Sequence, residues 1–258
     1  MPDKPIDISY PAADDLHLRI ALGACRLEAG PGEGEGWVAG ICHYPSKIRA
    51  PIIDTEKRPV TITEAEFSFE RIPSVFRGVP RYELELGKDK KRPFALTIET
   101  GASEFDLDLG GVPLKALTVK QGAGRFNLTF STPNPHPMDL LEVSSGVAGI
   151  ELHNLANANF SRMRLFGGAA AYEIDFDGRL SYGAEVRIET NLSGVEITVP
   201  GSTAAEIVAE TTLGTVDVGD GFTKREGAFL TEAGVAKEKP LLRIHAEARL
   251  GALEIRST

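Results

Sequence analysis

The sequence predicts an all-β protein: a single-domain β-solenoid (β-helix-like) of about seven coils, each 21–24 residues long, with an antiparallel, hairpin-rich N-terminal insertion. Three observations predict this fold. A unit of two short strands around a small-residue corner recurs along the chain, apolar and polar residues alternate within each unit, and no long amphipathic helix pattern interrupts the series.

The repeat is visible in eight related segments. They read LRIALGACRLEA from Leu18, LTIETGASEFDLDL from Leu96, LTVKQGAGRFNLTF from Leu117, LEVSSGVAGIELHN from Leu141, MRLFGGAAAYEIDF from Met163, VRIETNLSGVEITV from Val186, IVAETTLGTVDV from Ile207 and IHAEARLGALEI from Ile244. The second strand of six central copies begins at Phe105, Phe126, Ile150, Tyr172, Val195 and Val216, in steps of 21, 24, 22, 23 and 21 residues. The next step, to Leu253, is 37 residues and indicates an insertion.

The alternation within each copy favours strands over helices. Phe105, Leu107 and Leu109 are separated by Asp106 and Asp108, so that a strand would bury one set and expose the other. One such unit cannot bury its apolar face alone. Successive units are therefore expected to stack in chain order and to pair edge to edge.

The predicted organisation follows the repeat. The first coil spans 16–30, a hairpin-rich insertion or cap spans 31–92, regular coils span 93–218, a loop insertion spans 219–240, and the last coil spans 241–258. The cap contains four candidate strands, Trp37–Tyr44, Val60–Thr63, Ala65–Phe69 and Tyr82–Leu86. The loop insertion is expected to protrude as a loop or hairpin near the C-terminal end.

Net charge and hydropathy disfavour some classes of partner and indicate where the chain is located. The formal net charge of −9 disfavours nucleic acid and anionic lipid as partners. The N-terminus has no signal-peptide pattern, and no apolar run is long enough for a transmembrane helix. The chain as given is expected to be cytoplasmic, or the soluble part of something larger, with no direct membrane insertion.

The cysteines and histidines give no metal-site pattern. Cys25 and Cys42 are interpreted as two small buried thiols, with a disulfide or a reactive or metal-binding role as alternatives. No two histidines have zinc-ligand spacing. His43 follows Cys42, but adjacent strand residues point to opposite faces. We predict no metal and no cofactor.

Acidic residues give no convincing active site. Asp106 and Asp108 share one strand face, but they occupy the outward positions of an alternating strand. The next copy places Asn127 and Thr129 beside them, rather than a second acid pair. No catalytic residue is therefore predicted and a small-molecule substrate is disfavoured. A carbohydrate-active hydrolase on a β-helix is kept as an alternative.

Several motifs resemble a known family. The segment PFALTIETGASEFDLDLGGVPLKALTVKQGAGRFNLTF (Pro93–Phe130) resembles bacterial toast-rack domains, and LRIALGACRLEAG (Leu18–Gly30) fits the same pattern. The ending GFTKREGAFLTEAGVAKEKPLLRIHAEARLGALEI resembles LiaF-like and putative adhesin domains. The resemblance covers Leu16 to Ile255. It implies a β-solenoid-like domain linked to cell-envelope stress sensing or adhesion, and it supplies no catalytic residues.

Exposed apolar groups are the better functional indicator. The candidate partner-binding residues are Phe222, Phe229 and Leu230 in the loop insertion, and Phe76 and Tyr82 in the cap. Packing on the solenoid ends is the other possibility for these side chains. The sequence favours a noncatalytic protein-interaction or scaffold module, with a self-assembling solenoid as a further alternative.

Overall fold

The strands of the repeat form one continuous stack. In a computed structural model that describes residues 1–64 and 78–258, the described strands belong to a single sheet of 16 strands. The shorter strands are β1 (Asp3–Ile8), β2 (Leu16–Leu22), β3 (Cys25–Pro31), β4 (Val38–His43), β5 (Ile52–Asp54), β6 (Val60–Thr63), β7 (Arg81–Leu86), β14 (Thr223–Arg225) and β15 (Ala228–Leu230). The long strands are β8 (Phe94–Asp108), β9 (Leu114–Thr129), β10 (Leu140–His153), β11 (Arg162–Asp175), β12 (Ala184–Val199), β13 (Ala205–Val218) and β16 (Leu242–Ser257). The helices are short: a 3₁₀ turn at Leu155–Ala158 and α1 (Glu232–Val235).

Each long strand bends at its small-residue corner into two limbs. In β8, Phe94, Leu96 and Ile98 are buried along the first limb, and Phe105 and Leu107 along the second. The odd spacing from Ile98 to Phe105 would place these side chains on opposite faces of a straight strand. Both limbs can therefore face one core only because the strand turns between them.

The corner of β9 requires glycine at position 124. Its φ angle of 129° lies in the region that L residues rarely adopt. A Cβ atom there would also lie 1.9 Å from the carbonyl oxygen of Ser103 on the neighbouring strand. The small-residue corners seen in the sequence thus allow successive strands to approach at the bend.

The register of the stack confirms the repeat. Residues at equivalent positions lie directly opposite each other on neighbouring strands, and we call such a line of residues a column. The predicted first residues of the second limbs form one column: Phe105, Phe126, Ile150, Tyr172 and Val195. All of them are at most 3% exposed, so this column is part of the core.

The order of the C-terminal strands differs from the expected stacking in chain order. β16 lies between β12 and β13, with Leu253 opposite both Val195 and Val216. The expectation that each coil pairs with the next was therefore wrong here: residues 241–258 form an inner layer, and β13 forms the outer one. The physical reason is the insertion at 219–240, which folds back on β13 as the hairpin β14–β15 and returns the chain to the inner edge of β13.

The N-terminal region contains a further coil as well as hairpins. β6 pairs in parallel with β2, and β7 pairs in parallel with β3. The segment 31–92, expected to be a hairpin-rich cap, thus supplies both limbs of a layer outside β2 and β3. Antiparallel strands then extend the sheet, with β4 on β7, β1 on β4 and β5 on β6. The candidate strand Ala65–Phe69 lies outside the described residues.

The connecting segments complete the core. Val112, Phe130, Met138, Phe160 and Phe176 lie in loops between the long strands and are fully or almost fully buried. Asn134 is also buried; its side chain accepts from the backbone N–H of Leu114 (3.2 Å) and donates to the carbonyl oxygens of Leu114 and Ala158. These hydrogen bonds satisfy a polar group within an otherwise apolar interior.

Candidate interaction surface

The predicted partner-binding residues have different surroundings. Phe222, Phe229 and Leu230 are each partly buried, and both phenylalanines pack against the core. Tyr82 is 1% exposed, so its ring belongs to the core and does not reach the surface. Phe76 lies outside the described residues. Packing against the body of the protein was the other possibility for these side chains. It is complete for Tyr82 and partial for Phe222 and Phe229.

The hairpin β14–β15 covers the first limb of β13. Leu230 and Phe229 lie opposite Glu206 and Ile207, and Ile207 is fully buried as a result. The Lys224 ammonium lies 5.1 Å from the centre of the Phe229 ring, a cation–π contact. This half of the outer strand therefore has a partner.

The second limb of β13 has no such cover. Among the described residues, no strand pairs with the outer side of β13 beyond Ile207. Val216 is 36% exposed, whereas its column neighbours Leu253 and Val195 are 0% and 2% exposed. The edge from residue 208 to 218 thus presents unpaired backbone groups beside apolar side chains.

A row of exposed leucines leads to this edge. Leu192, Leu250 and Leu213 occupy one column at the corner and are 59%, 44% and 67% exposed. Surface leucines are common one at a time, but a contiguous apolar row indicates an interaction surface.

The other described edges carry features that discourage strand pairing. β1 contains Lys4 and Pro5, β14 contains Lys224 and Arg225, and β5 is three residues long. Charged residues, proline and short length all protect edge strands from further pairing. The uncovered limb of β13 reads TTLGTVDV from Thr211 and lacks lysine, arginine and proline.

A buried polar cluster lies near the N-terminal end. Cys25 and Cys42 are free and fully buried. Burial raises the pKa of the Cys42 thiol to about 11, against the effect of its hydrogen bond with Tyr82, and it raises the pKa of Cys25 as well. Burial also raises the pKa of Glu64, whose carboxylate accepts a backbone hydrogen bond from Gly23. These thiols are protonated at neutral pH, so nucleophilic chemistry is not favoured at this position.

The side chains of His43 and Cys42 point to opposite faces of β4. His43 points outward, with Nδ1 2.8 Å from Asp3 Oδ1, while Cys42 points into the core. Within residues 1–64 and 78–258 there is no group of three or more histidine, cysteine or acidic side chains arranged to hold a metal ion.

One feature that the sequence reasoning missed is a column of acids on the outer face of the second limbs. Beyond Asp106 and Asn127, the column continues through Glu151, Glu173, Glu196, Glu254 and Asp217. Each follows the first apolar residue of its limb, so alignment of the repeats would have found it. The column lies beside a shallow groove with Gly149, Ala171, Gly194 and Ala252 on its floor.

The comparisons with known proteins identify the class of this fold. Residues 2–153 match the family model for the N-terminal domain of toast_rack, more than half of the chain. The protein therefore belongs to the toast-rack family. A comparison with curated proteins gives no match.

One solved structure supports the fold assignment, and a second is more distant. A putative cell adhesion protein from Clostridium sporogenes has a TM-score of 0.54 at 17% identity, covering 100% of this chain and 99% of that one. A putative adhesin from Parabacteroides merdae has a TM-score of 0.26 at 10% identity, covering 100% of this chain and 95% of that one. The first likeness supports the β-solenoid-like architecture; the second is too distant to carry an argument. Among the described residues, no helix has the length and apolar character needed to span a bilayer.

Proposed function

We propose that this protein is a noncatalytic interaction module that binds an extended segment of a protein partner by strand addition at the uncovered limb of β13. The observation that carries this proposal is that the hairpin β14–β15 covers the first limb of β13, whereas the second limb of the same strand is exposed. Ile207 is fully buried under the hairpin, while Val216 and Leu213 on the same strand are 36% and 67% exposed.

Strand addition suits the chemistry of this edge. A partner strand would satisfy the free backbone groups of residues 208–218, and its alternate side chains would cover Val216. The exposed column Leu192–Leu250–Leu213 would provide an apolar contact at the corner. Backbone pairing gives affinity in this mode, and pockets for alternate side chains give specificity.

An envelope-associated role is part of this proposal. It is supported by family membership and by the fold shared with a protein described as a putative cell adhesion protein. The alternative of a carbohydrate-active hydrolase would use the acidic column. That column is on an open face, with the Glu151 and Glu254 side chains 35% and 46% exposed. A general acid usually needs a more apolar site than this.

The first experiment uses a peptide that copies the second limb of β16, residues Arg249–Ser257. In the protein this segment already pairs in parallel with the inner side of β13, so it has the side-chain pattern of a further layer. We expect saturable binding of the labelled peptide by fluorescence anisotropy, and slower amide hydrogen exchange at residues 210–218.

The matched variants place lysine at exposed corner positions. Leu213→Lys combined with Thr215→Lys should weaken peptide binding at least ~10-fold, because charge on an edge opposes pairing. Val147→Lys is the control, since Val147 is 62% exposed at a corner in an inner layer. Equal loss of binding in both variants, or no change in exchange at 210–218, would contradict strand addition at this edge.

A further inference from the structure

We propose that a second copy of this protein docks its acidic face on a basic groove formed by the first limbs of β11, β12 and β16. This contact is separate from the uncovered edge of β13. It uses two outer faces of the same layers, which carry opposite charge.

The basic face is a column of three basic residues that starts beside Glu142, which lies opposite Arg164. Arg164 lies opposite Arg187, and Arg187 lies opposite His245. Arg162 and Arg243 line the same groove, which has a volume of about 360 Å³ and is also lined by Glu185 and Glu206. Glu185 lies opposite both Arg162 and Arg243, so the groove holds four arginines and two glutamates. Arg187 pairs with Glu189 on its own strand, and Arg243 is 3.9 Å from Glu206. Within the described residues, Arg162 and Arg164 form no salt bridge and are exposed.

The acidic face lies on the second limbs of the same strands. Glu173 lies opposite Glu196, and Glu196 lies opposite Glu254. Glu254 pairs with Arg256 at 2.8 Å, but no salt bridge to a described residue involves Glu173 or Glu196. The column borders the floor of Gly149, Ala171, Gly194 and Ala252, which leaves room for long side chains to approach.

Both columns place like charges on neighbouring strands. Like charges directly opposite each other on neighbouring strands destabilise a sheet. Here Arg164 faces Arg187 and Glu173 faces Glu196 in the same two layers. An oppositely charged surface would relieve both repulsions.

The two columns match each other in spacing as well as in sign. Each follows the stack, so its charges repeat at the distance between neighbouring strands, about 4.8 Å. The acidic column of one copy can therefore place a carboxylate near each guanidinium of another. This common spacing favours a second copy over an acidic partner of arbitrary spacing.

The contact joins different surfaces of the two molecules. Such head-to-tail interfaces form rings when the rotation closes and open chains when it does not. The association should therefore depend on protein concentration and extend beyond a dimer in an open chain. It should also weaken with salt, because exposed charges are screened.

The experiment compares two charge-reversed variants by sedimentation velocity at about 0.05 M and about 0.5 M salt. Variant one, Arg164→Glu with Arg187→Glu, has two acidic faces. Variant two, Glu173→Arg with Glu196→Arg, has two basic faces. We expect wild type to associate at low salt, each variant alone to lose association at least ~10-fold, and an equimolar mixture to associate again.

The control is Arg249→Glu, an exposed residue of β16 at the corner, outside both faces. It changes the net charge without changing either column, so its association should equal that of wild type. Circular dichroism checks that every variant folds. A monomeric wild type at low salt, or a mixture that fails to associate, would overturn the proposal. Loss of association in Leu213→Lys with Thr215→Lys would instead assign it to the β13 edge.

Discussion

At the scale of single residues, neighbouring layers compensate for each other in size. Tyr172 is 2% exposed, and its column neighbours are Ile150 and Val195. A Cβ atom on Gly167 would lie 1.9 Å from the Tyr172 hydroxyl oxygen, while the neighbours of Gly167 are Ser145 and Thr190. The layer with the large tyrosine therefore has glycine where the adjacent layers have larger side chains.

The Tyr172 side chain occupies the space that a side chain at position 167 would need. Substitutions at these two positions should therefore have strongly coupled effects on stability. Gly167→Ser should destabilise the protein by about 1–3 kcal/mol, because the new side chain would displace the buried Tyr172 ring. In a Tyr172→Ile background, which copies the pair Ser145 and Ile150, the same change should cost at least ~1 kcal/mol less. Urea unfolding of the four chains in this double-mutant cycle measures the coupling. Additive effects within ~0.3 kcal/mol would show that the two sites do not share space.

Tyr172 also shows what alternation alone does not predict. Its inward position followed from the repeat, and the structure confirms it. The hydroxyl has no hydrogen-bond partner among the described residues, and burial raises its pKa to about 12. The close approach of Tyr172 to Gly167 depends on distances across the corner of the strand. The alternation of residues along one strand does not predict those distances.

At the scale of elements, the hairpin on β13 depends on one buried threonine. Thr231 is the N-cap residue of α1 and is fully buried. Its hydroxyl oxygen accepts from the backbone N–H groups of Ala205 (2.9 Å) and Gly234 (3.2 Å), and it donates to the carbonyl oxygen of Thr203 at 2.7 Å. It thereby ties the end of the hairpin to the start of the outer strand.

Thr231→Val keeps the shape of this side chain and removes all three hydrogen bonds. The variant should lose about 1–3 kcal/mol, since two backbone N–H groups remain buried without this partner. Local opening should appear first, as faster amide exchange at Ala205 and Ile207 than in the inner strands. Thr203→Val is the matched control, because only the backbone carbonyl of Thr203 takes part. Equal exchange in both variants would contradict the role given to Thr231.

The elements also show where sequence patterns were sufficient. Regular steps of 21–24 residues located the second limbs of β8 to β13 because each limb repeats the same alternation of apolar and polar residues. The layer made by β6 and β7 was missed because its two limbs are separated by residues 64–80, far more than the short corners elsewhere. The uncovered limb of β13 was not predicted either, because the order in which the strands pair depends on the tertiary structure and not on the pattern within one strand.

At the scale of the whole molecule, the chain order is permuted near both ends of the stack. The layer of β2 and β3 lies between β8 and the layer of β6 and β7, which follows it in sequence. At the other end, β16 lies between β12 and β13. At one end an earlier segment, β2 and β3, separates two layers that are successive in the chain, and at the other end a later segment, β16, does so. The end layers therefore depend on pairing between segments that are distant in sequence.

This permutation predicts an unusual response to truncation. In a solenoid stacked in chain order, removing the last coil deletes an end layer and leaves the rest paired. Here, a chain ending at Val218 would lack β16, which pairs with both β12 and β13. β13 would lose its parallel neighbour and the hairpin that covers Ile207, and the edge of β12 would become exposed. We expect β13 to lose its amide protection entirely, while β8 to β10 keep theirs. If β13 stays protected by pairing directly with β12, the two layers are interchangeable, and the position of β16 is set by the order of folding rather than by its contacts.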